Sequence, residues 1–464
     1  MQRWFRTAAP RLLVAFSAVL AMGAAAPASA QIHVESKTLG NGMKLLVQED
    51  SSIPNIAFYT FYKVGSRNEH EGITGLSHFF EHMMFNGAKR YGKGEFDAAL
   101  DNAGGTNNAY TQTDMTVYQD WTPQGALELV MDAESDRMEN LAFVPAVVES
   151  ERQVVYSERR LRTDNSNPGT LEEALRAAAF ESSPYHWPVV GWPSDIEGWT
   201  IDDLKSYHAM GYSPRNATAV VVGNVKAAEV FALADKYFAN IPAPAPPPPV
   251  RTKGMPQHGE RRVEVRKPAE LPLQFIAWHT VDVKSPDYYP LLVLDSILST
   301  GQSSRLYRSL VDGQQLALSI GSNQDETMDP GLFSIQHQPR AGVAPEKVEA
   351  AIYAELDKLR TTPLGAAELT KAKNQIVAQN YREQQTIAGR AQAIGAAEVL
   401  FGSWTHVNDE EKLVNAVTAA DVQRVLNKYL VASNRTVATL VPDATAVDTN
   451  TPAGSPAASE GGAE

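Results

Sequence analysis

The chain has 464 residues, 43% apolar and 20% charged, the make-up of a soluble globular protein long enough for two to four domains. A net charge of −13 argues against a nucleic-acid partner, which needs a basic face. The absence of cysteine excludes disulfides, thiolate catalysis and cysteine-held zinc, so any metal must sit on histidine and carboxylate.

Residues 1–30 read as an export signal. Arg3, Arg6 and Arg11 are followed by an apolar run from Leu12 to Ala26, and Ala28-Ser29-Ala30 fits the small-residue cleavage rule. The run is too short and alanine-rich for a stable membrane span. An organellar transit peptide is the alternative, since the segment bears arginines and no acids; the continuous apolar core favours export, most simply to a periplasm. Cleavage would leave Gln31 first and take the charge to −13 − 3 = −16.

Strands or hairpins are expected over Met43–Gln48, Ile56–Val64, Ala109–Asp120 and Ala217–Gly223. Helices are expected over Glu95–Ala103, Gly125–Leu141, Ala146–Arg162 and Leu171–Phe180. Strands flanking a helical middle predict an α+β fold, with a mixed or antiparallel sheet packed with helices.

Thr74–Gly87 reads TGLSHFFEHMMFNG. Leu76, Phe79, Phe80, Met83 and Met84 make the buried stripe of an amphipathic helix that Gly87 would stop. His78 and His82 lie off the stripe, one turn apart, with Glu81 beside them. Two neutral imidazoles and a carboxylate on one face suit a zinc ion that keeps one position for water. In the spacing His-x-x-Glu-His, Glu81 fits the general base better than a ligand. The bland reading is a solvated polar face, so a third ligand matters. The acidic helix VVESERQVVYSERRLR offers Glu149, Glu151 and Glu158. Glu151 and Glu158 share one face two turns apart, and Val154 and Val155 between them would dock the helix. Glu158 is the expected third ligand, and Glu151 a carboxylate that orients ligands or water.

Ile241–Val250 reads IPAPAPPPPV, a stiff spacer. It sets an expected organisation: residues 1–30 a signal, 32–241 a metal-binding domain, 242–250 a linker, 251–443 a related domain, and 444–464 a disordered tail. The relation rests on an offset of 218. TIDDLKSYHAMGYSPRNATAVVVGNV begins at Thr200 and TAADVQRVLNKYLVASNRTVATLVPD at Thr418, each reading as a capped helix, a turn and a strand.

At these residues the chain resembles the pitrilysin-type zinc metallopeptidases, in the short-subunit branch that includes the mitochondrial processing peptidase beta subunit. The inverted motif matches at His78, Glu81 and His82, and the later Glu-x6-Glu element at Glu151 and Glu158. GGTNNAYTQTDMTVY, SPYHWPVVGWPSD, GQSSRLYRSLV and PEKVEAAIYAELDKL match further along. The resemblance implies one zinc per chain on His78, His82 and Glu158, Glu81 as base, Glu151 assisting, and Asn108 and Ala109 on the strand that pairs with extended substrate. Complete members carry an Arg and a Tyr seven apart in a later domain; here Val311 and Leu318 stand in their places. That implies a heterodimer with a homologous subunit supplying the pair. A non-catalytic scaffold subunit of the core-protein type is the alternative, for which Glu81 would be superfluous.

Overall fold

The computed structural model describes residues 31–443. The expected signal 1–30 and tail 444–464 lie outside the described residues. Among the described residues no helix is long and apolar enough to cross a membrane.

The first half runs β1 (Glu35–Thr38), β2 (Lys44–Glu49), β3 (Asn55–Tyr62), α1 (Leu76–Met83), α2 (Glu95–Asn102), β4 (Thr106–Thr111), β5 (Thr116–Pro123), α3 (Leu127–Asn140), α4 (Pro145–Arg159), α5 (Asn167–Ala179), α6 (Pro193–Gly198), α7 (Ile201–Gly211), β6 (Ala217–Gly223) and α8 (Ala227–Tyr237). Residues 242–250 form neither helix nor strand. The second half runs β7 (Arg261–Lys267), β8 (Leu273–His279), α9 (Tyr288–Ser299), β9 (Ala317–Gln324), β10 (Leu332–Pro339), α10 (Pro345–Thr361), α11 (Ala366–Glu383), α12 (Ile387–Phe401), α13 (His406–Ala416), α14 (Ala419–Tyr429) and β11 (Arg435–Pro442).

The fold is α+β, with two mixed sheets ordered β1-β2-β6-β3-β5-β4 and β7-β11-β8-β10-β9. Each has one parallel pair, β2 with β6 and β7 with β11, and is otherwise antiparallel. Removing β1 makes the two orders equivalent, as expected for a duplicated unit. The offset of 218 holds in detail. Thr200 and Asp203 form a capping box at the start of α7, and Thr418 and Asp421 form the same box at α14. Asn216 donates to the Gly211 carbonyl at 2.8 Å, and Asn434 to the Tyr429 carbonyl at 2.9 Å.

The halves exchange helices. β3 is buried on both faces because α12, from the second half, covers β3 and β6 on the side away from α1. Gly395 of α12 sits so close to the Phe61 ring that a Cβ there would overlap it. Reciprocally, α5 lies on β7, β8 and β11, and Leu171, Leu175 and Ala179 share a core with Phe275, Ala277, Leu332, Ala438 and Leu440.

Local boundaries differ from expectation where side chains redirect the backbone. The helix expected to reach Arg162 ends as α4 at Arg159 and continues as a π turn, Arg160–Asp164, closed by the Asn165 N–H on the Arg160 carbonyl at 2.7 Å. α5 then starts early, capped by Ser166 with Pro168 in its first turn. Val154 does not dock α4: it is 48% exposed, and Val148 and Val155 make the buried contact.

Candidate metal centre

α1 is fixed before it presents any chemistry. Leu76, Phe79, Phe80, Met83 and Met84 are all buried. The Tyr118 hydroxyl donates to the Phe80 carbonyl at 2.9 Å. Glu69 holds the start, its two oxygens accepting the N–H groups of Gly75 and Ser77, both at 2.7 Å. This satisfies donors the helix leaves free, but in a buried setting that pushes the Glu69 carboxyl up to about 7. Gly75, at φ 89°, lies back to back with Gly191, and a Cβ on either would overlap the other's strand of backbone. The loop Pro188–Val190 is thereby pressed against the motif helix.

α4 packs against α1 and brings Glu151 and Glu158 to the histidines. The Glu158 Oε2 lies 3.2 Å from His82 Nε2 and 3.6 Å from His78 Nε2. The edge of a tetrahedron with zinc-to-ligand bonds near 2.0–2.1 Å is about 3.4 Å. Ligand atoms of the three residues all fall within 4.8 Å of one another, the one such group able to hold a metal among the described residues. Two imidazole nitrogens and one carboxylate oxygen, with space in front of them, fit a catalytic zinc ion.

A second layer orients these donors. His82 Nδ1 donates to Glu151 Oε1 at 2.8 Å, which turns Nε2 toward Glu158. Asn86 donates to the other Glu151 oxygen at 2.9 Å and to the His82 carbonyl at 3.1 Å. Burial, with His82 alongside, pushes His78 down to about 4, the neutral form a ligand needs. Burial also opposes charge on His82, but the hydrogen bonds of Glu151 and Glu158 outweigh it and hold that ring up to about 9. The cluster thus concentrates negative charge on a point that one cation can neutralise. Hydrogen bonding to His82 holds both Glu158 and Glu151 below the usual carboxylate range.

Glu81 stands outside the converging set. Its Oε2 accepts from Thr111 Oγ1 at 2.7 Å, leaving Oε1 uncommitted by that bond. Burial raises its pKa, against the Thr111 hydrogen bond. Thr111 lies on β4, the free edge of the first sheet. Asn108 is exposed on that edge and Ala109 buried. Asn108, Ala109, Tyr110 and Thr111 line a cavity of about 620 Å³ together with His78, Glu81, His82 and Glu158. Pro188, Val189 and Val190 form part of its wall.

Val311 is buried in a π turn, Tyr307–Gly313, and Leu318 is 46% exposed on β9. Neither side chain carries a polar hydrogen. Arg305 is held by Glu368 in two hydrogen bonds of 2.7 and 2.8 Å. Sequence reading missed Thr111, Asn86 and Glu69. Thr111 could have been found two residues beyond Ala109, on the same strand face, and Asn86 four residues beyond His82. Glu69 has no comparable local signal, because a stretch of irregular chain separates it from the helix start it caps.

Residues 46–191 match the family described as Insulinase (Peptidase family M16), and residues 198–376 match the Peptidase M16 inactive domain. The chain is 33% identical over 448 residues to the zinc protease PqqE of Helicobacter pylori, covering 93% of this chain and 98% of that one. It is 27% identical to the mitochondrial-processing peptidase subunit beta of Lentinula edodes, covering 85% and 87%. The crystal structure of a protease from Helicobacter pylori superposes with a TM-score of 0.85 at 30% identity, over 89% of this chain and all of that one. The chain belongs to peptidase family M16.

Proposed function

We propose that this chain is the zinc-carrying subunit of an exported, most simply periplasmic, endopeptidase that hydrolyses unfolded peptides. The observation that carries the reading is the separation of roles at α1: Glu158 converges with both imidazoles, while Glu81 stands beside them, held by Thr111 instead. His78, His82 and Glu158 would hold one zinc ion, which when bound supplies a Lewis acid and brings the pKa of a bound water toward neutrality. Glu81 would take a proton from the attacking water and return it to the leaving amine. Glu151 and Asn86 keep the His82 ring in orientation. An extended peptide would add to the free edge of β4 at Asn108 and Ala109, so that main-chain hydrogen bonds hold it and folded proteins are refused.

The chain does not supply every donor the reaction wants. With Val311 and Leu318 standing where the resemblance implies an Arg and a Tyr in complete members, a tetrahedral oxyanion would lack help from the second half, and one missing donor costs about 3 kcal/mol of transition-state stabilisation. A second copy has the same residues. The reading therefore includes a homologous partner bearing the Arg and Tyr. A scaffold role is favoured by nothing at the site, since a scaffold needs neither Glu81 nor its Thr111 contact.

The test is peptide cleavage by the mature chain, by a partner encoded beside it, and by an equimolar mixture. Activity is expected chiefly in the mixture, falling when the partner's Arg or Tyr is replaced. Full activity from this chain alone would overturn the partner requirement.

A further inference from the structure

Arg162 is the cation in the cavity that the assigned roles leave unused. It lies on the π turn that follows α4, one turn beyond Glu158, and lines the same cavity as His78, Glu81 and Asn108. Its side chain is 76% exposed and is tied by an ion pair of 2.9 Å from Nη1 to Glu158 Oε1, the oxygen turned away from the imidazoles. The other arginine in the wall, Arg159, is 3% exposed and spent on structure: it donates to Glu173 and to the Gly191 carbonyl, both at 2.8 Å, and pairs with Asp164 at 3.2 Å. A guanidinium has five N–H donors. One exposed i,i+4 pair holds a long side chain only weakly. Arg162 thus offers most of its fork to whatever enters between it and the apolar wall Pro188–Val190.

We propose that Arg162 is a specificity-determining residue that receives a substrate carboxylate next to the scissile bond, from an acidic side chain or from the peptide's own C-terminus. The π turn matters here. A continued α-helix would carry the chain on regularly past Glu158, whereas the π turn ends it before α5 begins at Asn167, and Arg162 stays exposed on the cavity lining. The inference rests on the peptidase reading for its meaning, but its binding test does not need turnover.

Labelled peptides are compared in pairs, Glu against Gln at each residue flanking the cleavage point, and free against amidated C-terminus. Their affinity for the Glu81→Gln chain is read by fluorescence anisotropy, and their cleavage by the parent with its partner. One pair should differ by roughly tenfold or more in favour of the carboxylate, and that pair identifies its source. Arg162→Gln should bring the ratio to about one, Arg162→Glu should push it below one, and Arg160→Gln should leave it unchanged. Arg162→Lys should retain part of the preference, since it keeps the charge and loses the fork. Ratios near one in every pair, or a ratio unaltered by Arg162→Gln, would overturn the proposal. Absence of cleavage of every peptide would count against the peptidase reading instead, and the affinity ratio would still be read.

Discussion

α1 and α9 occupy the same place in the two halves, and they are built for opposite purposes. α1 buries one stripe and turns His78 and His82 toward α4 and Glu81 toward Thr111 of β4. α9 is largely apolar: Tyr288, Leu291, Val293, Leu294, Ile297 and Leu298 are buried, and Ser296 donates to the Ala372 carbonyl of α11 at 3.3 Å. Where α4 answers α1 with Glu151 and Glu158, α11 answers α9 with Ala372. One topology therefore supports a reactive and a structural version of the same helix pair. The difference lies in which groups must be paired: the imidazoles of α1 and the Glu158 carboxylate that answers them converge on one point, whereas α9 is mostly aliphatic and its one acid, Asp295, is answered by the Ser322 hydroxyl.

The comparison breaks most severely at the imidazoles. His78→Ala or His82→Ala should abolish metal retention and activity, as read by metal analysis after dialysis, while the chain's circular dichroism stays near that of the parent. Retained stoichiometric metal would place the site elsewhere. Separating Glu158 from Glu151 sharpens the contrast between α4 and α11. Glu158→Gln should weaken metal binding strongly, whereas Glu151→Gln should keep most of the metal and slow turnover by about 10–100-fold, the range for lost outer-shell partners. Equal metal affinity in Glu158→Gln and the parent would mean the wrong carboxylate has been assigned.

Smaller effects test what the halves share. Gly395→Ala drives a methyl into the Phe61 ring and should lower stability by about 1–3 kcal/mol, measured by thermal or urea unfolding. An unchanged midpoint would contradict the helix exchange. Thr200→Ala and Thr418→Ala remove equivalent caps and should each cost about 1 kcal/mol. A marked inequality would show that the repeats differ in energetics despite matching geometry.

Much of this was legible because it is local. The period of Leu76, Phe79, Phe80, Met83 and Met84, the His-x-x-Glu-His spacing, and the seven-residue step from Glu151 to Glu158 are all set by helix geometry. The offset of 218 predicted two capped helices that match to the residue. What the chain's order hid depends on distant packing. Nothing in Leu171–Ala179 says that it belongs to the second sheet, nor in Gly395 that it rests on Phe61. Val154 and Val155 look alike in sequence, and only the side on which α1 approaches buries one and exposes the other. The end of α4 was misplaced because a π turn has no composition signal of its own.

The most direct measurement is made on one substitution. Glu81→Gln leaves the three converging donors intact and removes only the proton acceptor. Metal analysis and peptide cleavage of this variant, beside the parent and each with the partner subunit, should find about one zinc ion per chain in both, with turnover lower by roughly two or more orders of magnitude in the variant. A metal-free Glu81→Gln chain would make Glu81 a ligand, and a metal-loaded one that cleaves like the parent would take the base away from Glu81; either result would contradict the division of labour proposed for α1.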